Sequence, residues 1–218
     1  EQHVPGGGTQ YMAYDLRGRL VLRTDSNLIS KNLFIYIEYD QMDRVICEAY
    51  CNISQGIEHI RRLLNENEEW YDLRSNVNLL RECTYYSPGN IPSGFVDESG
   101  IVNQSEVSPE YSMTLLATEK IYENPYVSAS AQRSGYWKSR KYFYDSRGRT
   151  IQIQEVWSDG SESRYSSAYD FVGNVLIQKE WHKVNNKTNT YVREYTYDKR
   201  GRIQTCERKI DNRNYDTI

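Results

Sequence analysis

Proline is scarce in this chain of 218 residues, with 5 copies, and no apolar run approaches the length of a membrane span. A bilayer-crossing helix needs about 20 consecutive apolar residues, so insertion of this segment into a membrane is not expected. Neither sign of charge dominates: 27 lysines and arginines against 30 acids leave a net charge of −3. That excludes the global basic field of a nucleic-acid binder. The three histidines, His3, His59 and His182, stand far apart. There is no His-x-x-x-His, no Cys-x-x-Cys and no acidic calcium loop, so neither a metal nor a cofactor is expected. Gly-x-Ser-x-Gly is absent too, and no cysteine has catalytic context. Nothing selects a catalytic pair among the 30 acids, and no catalytic residue is assigned.

The four cysteines, Cys47, Cys51, Cys83 and Cys206, allow three full pairings and the spacing selects none. Cys47 and Cys51 would lie about 13 Å apart along a strand, too far for a disulfide. Buried free thiols are the favoured reading.

What the chain has is tyrosine, 20 residues against 4 phenylalanines and 4 tryptophans. Tyrosine suits pleated surfaces, where the ring packs and the hydroxyl reaches a polar partner. The tyrosines also mark a repeat. Tyr14-Asp15-Leu16-Arg17-Gly18-Arg19 recurs as Tyr144-Asp145-Ser146-Arg147-Gly148-Arg149 and Tyr197-Asp198-Lys199-Arg200-Gly201-Arg202. Looser copies are Tyr39-Asp40-Gln41-Met42-Asp43-Arg44 and Tyr169-Asp170-Phe171-Val172-Gly173-Asn174, with Tyr71-Asp72-Leu73-Arg74-Ser75-Asn76 degenerate. From Tyr14 to Tyr39 and from Tyr144 to Tyr169 the spacing is 25 residues, and from Tyr169 to Tyr197 it is 28.

Each copy follows an alternating stretch and precedes a β-favouring run such as Leu20-Val21-Leu22 or Ile151-Gln152-Ile153. Strand, tight turn, strand is the simplest reading. The aspartate can accept from the backbone two residues on and close an Asx turn. Glycine three residues later suits a left-handed position after a type I turn, and Asp43, standing in its place, tolerates that conformation. The final Arg19, Arg44, Arg149, Arg202 or Asn174 starts the return strand, where an arginine can meet the aspartate or a tyrosine face. Turn and cross-strand chemistry thus accounts for every position. The alternative is an anion-binding edge made by the Arg-x-Arg tips at 17 and 19, 147 and 149, 200 and 202.

These copies resemble the YD repeat of Rhs-type proteins, large bacterial secreted or surface shell proteins whose repeats also occur in animal teneurins. Pro5-Gly6-Gly7-Gly8 leading into Tyr11–Leu22, and Leu115–Lys120 ahead of the Tyr144 copy, are similar to the framing in Rhs-like proteins of gut Bacteroidetes. The resemblance implies antiparallel hairpins wound into a β-spiral, an extracellular or cell-surface location, and as partners the rest of a parent repeat shell and a C-terminal toxin-like domain. Five clear copies are too few to close a shell, and no Asp-Pro-x-Gly element is present, so encapsulation and self-cleavage do not carry over.

The expected fold is mainly β: antiparallel hairpin repeats in a curved, twisted sheet, a partial β-spiral with one short helix in a central insertion. Residues 1–8 read as a flexible linker, 9–53 as two repeats, 54–138 as an insertion, and 139–218 as three repeats, together a single continuous repeat domain. Within the insertion Ile57, Ile60, Leu63, Leu64 and Trp70 mark a helix over 56–70, Asn78–Tyr86 reads as a strand, and 96–110 as a long mobile excursion. The start, without initiator Met or apolar leader, suggests a piece of a longer chain. The expected role is a structural β-scaffold with no catalysis. A carbohydrate- or cell-surface-binding module using exposed Trp137, Trp157 or Trp181 to stack on sugar rings is the alternative.

Overall fold

The computed structural model describes residues 2–4, 8–53, 58, 59, 62, 77–87, 90–108, 114–122, 135–211 and 213–217, with backbone alone at 2–4, 8 and 213–217. Among these the chain is mainly β. The strands are β1 (Gln2–Val4), β2 (Gly8–Tyr14), β3 (Leu20–Asp25), β4 (Leu33–Tyr39), β5 (Val45–Asn52) and β6 (Val77–Tyr85). They continue as β7 (Leu116–Tyr122), β8 (Trp137–Tyr144), β9 (Thr150–Trp157), β10 (Glu162–Tyr169) and β11 (Val175–Val184), then β12 (Lys187–Tyr197), β13 (Ile203–Ile210) and β14 (Arg213–Thr217). Contacts divide the chain into two compact units, Glu1–Cys83 with Ile121–Trp137, and Thr84–Lys120 with Lys138–Ile218. In each unit neighbouring strands are neighbours in sequence, and the pairs are antiparallel.

All five Tyr-Asp motifs fall at hairpin tips, on β2–β3, β4–β5, β8–β9, β10–β11 and β12–β13. Their register is common to all. The motif tyrosine pairs with the sixth residue after it, as Tyr14 with Leu20 and Tyr144 with Thr150. The preceding residue pairs two further on, Ala13 with Leu22 and Phe143 with Gln152, which leaves Val21 and Ile151 as bulge residues. A bulge breaks strict alternation. It lets consecutive residues bury themselves: Val21 with Leu22, and Ile151 with Gln152.

The first unit packs Ala13, Val21, Leu22, Phe34, Tyr36, Ala49, Cys51 and Ile53 into one core. The second has two clusters, one around Tyr86, Ala117 and Tyr144, the other around Val102, Phe143 and Ile151 with Phe95 and Tyr169. The four cysteines are free thiols. Burial pushes the Cys51 thiol up to about 12, so it stays protonated and inert.

Several sequence-based boundaries change. Gln2–Val4, expected in a flexible linker, pair with Gly8–Gln10 as a short hairpin. The expected insertion at 54–138 supplies two strands of the hairpin series, β6 and β7, as well as the start of β8. The helix over 56–70 and the degenerate Tyr71 copy lie outside the described residues, save Glu58, His59 and Arg62, whose backbone is helical. One helical turn, Ser26–Ile29, was not anticipated. Asp25 caps it, its carboxylate accepting from the N–H groups of Asn27 and Leu28, the role that makes aspartate a favoured N-cap.

Candidate functional site

The motif performs two jobs, one within its own hairpin and one on the hairpin before it. Within the turn, the Asp145 N–H donates to the Arg149 carbonyl at 3.0 Å and the Gly148 N–H to the Asp145 carbonyl at 3.0 Å. Oδ1 of Asp145 accepts from the N–H groups of Arg147 and Arg149, both at 2.9 Å, while Oδ2 takes Nε of Arg149 at 2.6 Å. Asp15 with Arg19, Asp40 with Arg44 and Asp198 with Arg202 repeat this lock. In the Tyr169 copy Asn174 replaces the arginine and donates its amide to Asp170 at 2.7 Å. The final motif residue is therefore chosen as a donor to the aspartate.

Gly18, Gly148, Gly173, Gly201 and Asp43 all adopt positive φ, as the turn reading requires. At Gly148 an added Cβ would meet only Leu115 Cδ1 at 3.5 Å, an ordinary contact. The strain of Gly148→Val would thus come from the left-handed backbone, and urea melts should show a loss of about 1–2 kcal/mol or more.

The second job belongs to the tyrosine. Tyr39 donates its hydroxyl to the Leu20 carbonyl at 2.9 Å, Tyr169 to Thr150 at 2.8 Å and Tyr197 to Val175 at 2.8 Å. Each acceptor is the first residue of the return strand in the preceding hairpin. Burial raises the hydroxyl pKa of Tyr39, Tyr169 and Tyr197, so these groups remain donors. The arginines reinforce the step. Arg19 lies over the Tyr39 ring at 5.0 Å and Arg149 over Tyr169 at 4.7 Å. Arg19 and Arg17 both reach Asp43 on the next tip, at 2.6 and 2.8 Å. Arg147 donates to the Phe171 carbonyl, and Arg149 to that of Asp170 at 2.8 Å. The Arg-x-Arg tips at 17 and 19, 147 and 149 are thus engaged by their neighbours rather than open for an anion.

Tyr144 exposes a further hairpin that sequence reading missed. Its hydroxyl donates to Leu116 at 3.0 Å, the position of Thr150 or Val175 in the other pairs. The Tyr86 N–H donates to the Leu115 carbonyl at 3.0 Å, as Asp145 does to Arg149. Thr84 and Thr118 bond through their hydroxyls at 2.8 Å, as Thr196 and Thr205 do at 2.6 Å. Ala117, fully buried, stands where Val21 and Ile151 are. Tyr85 is therefore a motif tyrosine, and residues 87–114 replace a three-residue turn. The signals were present in Thr84-Tyr85 and Leu115-Leu116-Ala117-Thr118, but the tip between them had lost its Asp and Gly.

The described part of this expanded tip is fastened down, which corrects the expectation of a mobile excursion over 96–110. Glu98, 5% exposed, holds Nε of Arg164 at 2.7 Å and the Lys179 ammonium. Gln152, fully buried, donates to the Val96 carbonyl at 2.9 Å and accepts from its N–H at 3.1 Å. Phe95 meets the edge of Phe143 with ring centres 5.3 Å apart. Between the expanded tip and the Tyr144 turn lies a cleft of about 630 Å³, lined by Glu106, Ser108, Ser146, Arg149, Ile151 and Tyr169 among others.

The opposite strand face carries a polar network. Arg140 bridges two buried carboxylates, Glu155 at 2.5 Å and Glu119 at 3.3 Å. Nearby, Ser163 Oγ lies 2.6 Å from His182 Nδ1, with Glu180 3.7 Å from Nε2. The residue types echo a nucleophile, base and acid, but the arrangement is cross-strand pairing. Ser163 is buried, Tyr165 and Tyr191 hold the imidazole edge-on, and Arg193 takes the Glu180 carboxylate at 2.6 Å. Among the described residues no group of three or more His, Cys, Asp or Glu side chains is placed to hold a metal ion.

Trp137, Trp157 and Trp181 are all half-buried. Trp137 opens β8. Trp181 pairs with Arg164, which pairs with Gln154, so Trp181 shares that face and Trp157 lies on the other. Arg164 covers the Trp181 ring at 4.8 Å and Lys138 the Trp157 ring at 6.0 Å.

No family model and no curated protein matches the chain. Among solved structures, a crystal structure of TcdB2-TccC3 without its hypervariable C-terminal region resembles it at a TM-score of 0.31 and 10% identity. That likeness covers 93% of this chain and 10% of the other.

Proposed function

We propose that this chain is a structural segment of a larger secreted or cell-surface Rhs-like repeat protein and performs no chemistry of its own. The observation that carries the reading is the latch. In every pair described above, a hairpin tyrosine bonds to its predecessor's backbone, so the motif's conspicuous side chains are spent on joining repeats. In a repeat array stability is a sum of unit and nearest-neighbour terms. The partners that follow from the reading are further repeats of the same shell and a terminal toxin-like domain held by it.

Tyr169→Phe tests the latch directly. Removing that hydroxyl leaves the Thr150 carbonyl without its donor and should lower stability by about 1 kcal/mol in urea melts. Hydrolase panels should return no turnover with the parent or the variant. Turnover abolished by His182→Ala or Glu155→Gln would overturn the scaffold reading. A micromolar glycan ligand lost on Trp181→Ala would replace it with a binding module.

A further inference from the structure

The hairpin tips carry a second pattern that turn-making leaves unexplained. The two residues after each motif aspartate are Leu16-Arg17, Gln41-Met42, Ser146-Arg147, Phe171-Val172 and Lys199-Arg200. None is acidic, in a chain whose acids outnumber its bases 30 to 27. Turns favour Asp, Asn, Ser and Gly at such places, yet here most are apolar or cationic. In the second unit the pattern is concentrated. Phe171 and Val172 are 83% and 85% exposed, the highest values among the large apolar side chains described.

Cations flank this apolar pair on both sides. Arg147 of the preceding tip places its guanidinium 4.2 Å from the centre of the Phe171 ring. The following tip presents exposed Lys199 and Arg200, and lies close enough that a Cβ on its Gly201 would be 4.0 Å from Asn174 Oδ1. The acids of the three tips, Asp145, Asp170 and Asp198, are turned inward onto their own turns. The outward chemistry of the row is therefore a protruding apolar point between positive charges.

We propose that this row of tips seats on an anionic lipid bilayer. Phe171 and Val172 would enter the boundary between headgroups and acyl chains, while Lys199 and Arg200 meet lipid phosphates and carboxylates. Apolar anchors combined with basic residues are what interfacial binding uses. Such contact is peripheral, distinct from spanning, and no helix among the described residues is long and apolar enough to cross. The proposal stands on the tips alone and does not depend on the scaffold reading.

The test is sedimentation of the full chain with vesicles of phosphatidylcholine, with or without an equal share of phosphatidylserine, in about 0.1 M salt. The chain should sediment only with the anionic vesicles. Phe171→Ser with Val172→Ser should weaken partition at least about tenfold, and Lys199→Glu with Arg200→Glu should do the same. These side chains are exposed, so unchanged urea midpoints should show both variants folded. Failure of the parent to sediment with anionic vesicles overturns the proposal. So does a serine variant that sediments like the parent, or binding to polyglutamate as strong as to vesicles, which would assign the charges to an acidic protein partner.

Discussion

Asp145→Ala should destabilise the protein by about 2–4 kcal/mol, because one carboxylate closes the turn, caps two backbone N–H groups and holds the Arg149 guanidinium. Asp145→Asn separates these roles. Its amide oxygen can still accept from the Arg147 and Arg149 N–H groups, but its NH2 faces a cation, so the cost should be near 1 kcal/mol. Urea midpoints at neutral pH check both. An alanine variant no weaker than the asparagine one would mean the backbone caps contribute nothing.

The same carboxylates set a pH dependence. At Asp15, Asp40 and Asp145 burial pushes the pKa up, but the arginine partner and backbone donors together outweigh it. The result lies below the ordinary value of 3.8. A depressed folded pKa means that the stabilisation is fully present above the ordinary value and is lost as pH falls through the lower one. Melts between pH 6 and about pH 3 should therefore show stability falling mainly below about pH 4. The loss should be smaller in Asp145→Ala, which has one such group fewer.

Glu98→Ala is the other large expected effect, about 2–4 kcal/mol. It removes a buried carboxylate and leaves Arg164 and Lys179 facing each other without an anion. Both cations keep some solvent access, which places the value in the lower half of that range. The loss should be local first. Limited proteolysis within 94–106 should accelerate, and the Val102 amide, bonded to the Glu98 carbonyl at 3.0 Å, should exchange faster. A variant with parental proteolysis would show that the expanded tip is held by Phe95 and Gln152 alone.

Hairpin tips were legible in the sequence because their chemistry is local. Asp, Gly and Arg at fixed offsets can only satisfy one another within six residues. The latch was not legible, since its acceptor is a backbone carbonyl on another strand, and carbonyls leave no mark in composition. The Tyr85 hairpin was hidden for the complementary reason: its Tyr86–Leu115 and Thr84–Thr118 bonds and its buried Ala117 persist, but the Asp and Gly that identify a copy are missing. Residues 96–110 read as an excursion because Glu98 and Val102 find their partners far along the chain, in Arg164, Lys179 and Phe143. The glycan reading rested on tryptophan exposure, which periodicity does not fix. Pairing instead half-buries the three and sets Trp157 and Trp181 on opposite faces.

The latch also bears on how such a chain can change. Leu20, Leu116, Thr150 and Val175 receive the tyrosine hydroxyls through an atom that every residue possesses. A side-chain acceptor would tie each hairpin to its neighbour's identity, and a change on one side would demand a matching change on the other. With the main chain as acceptor, the latch itself places no demand on the predecessor's side chains. As far as the latch is concerned, whole hairpins can be duplicated, shuffled or lengthened between their strands without the acceptor residue having to change.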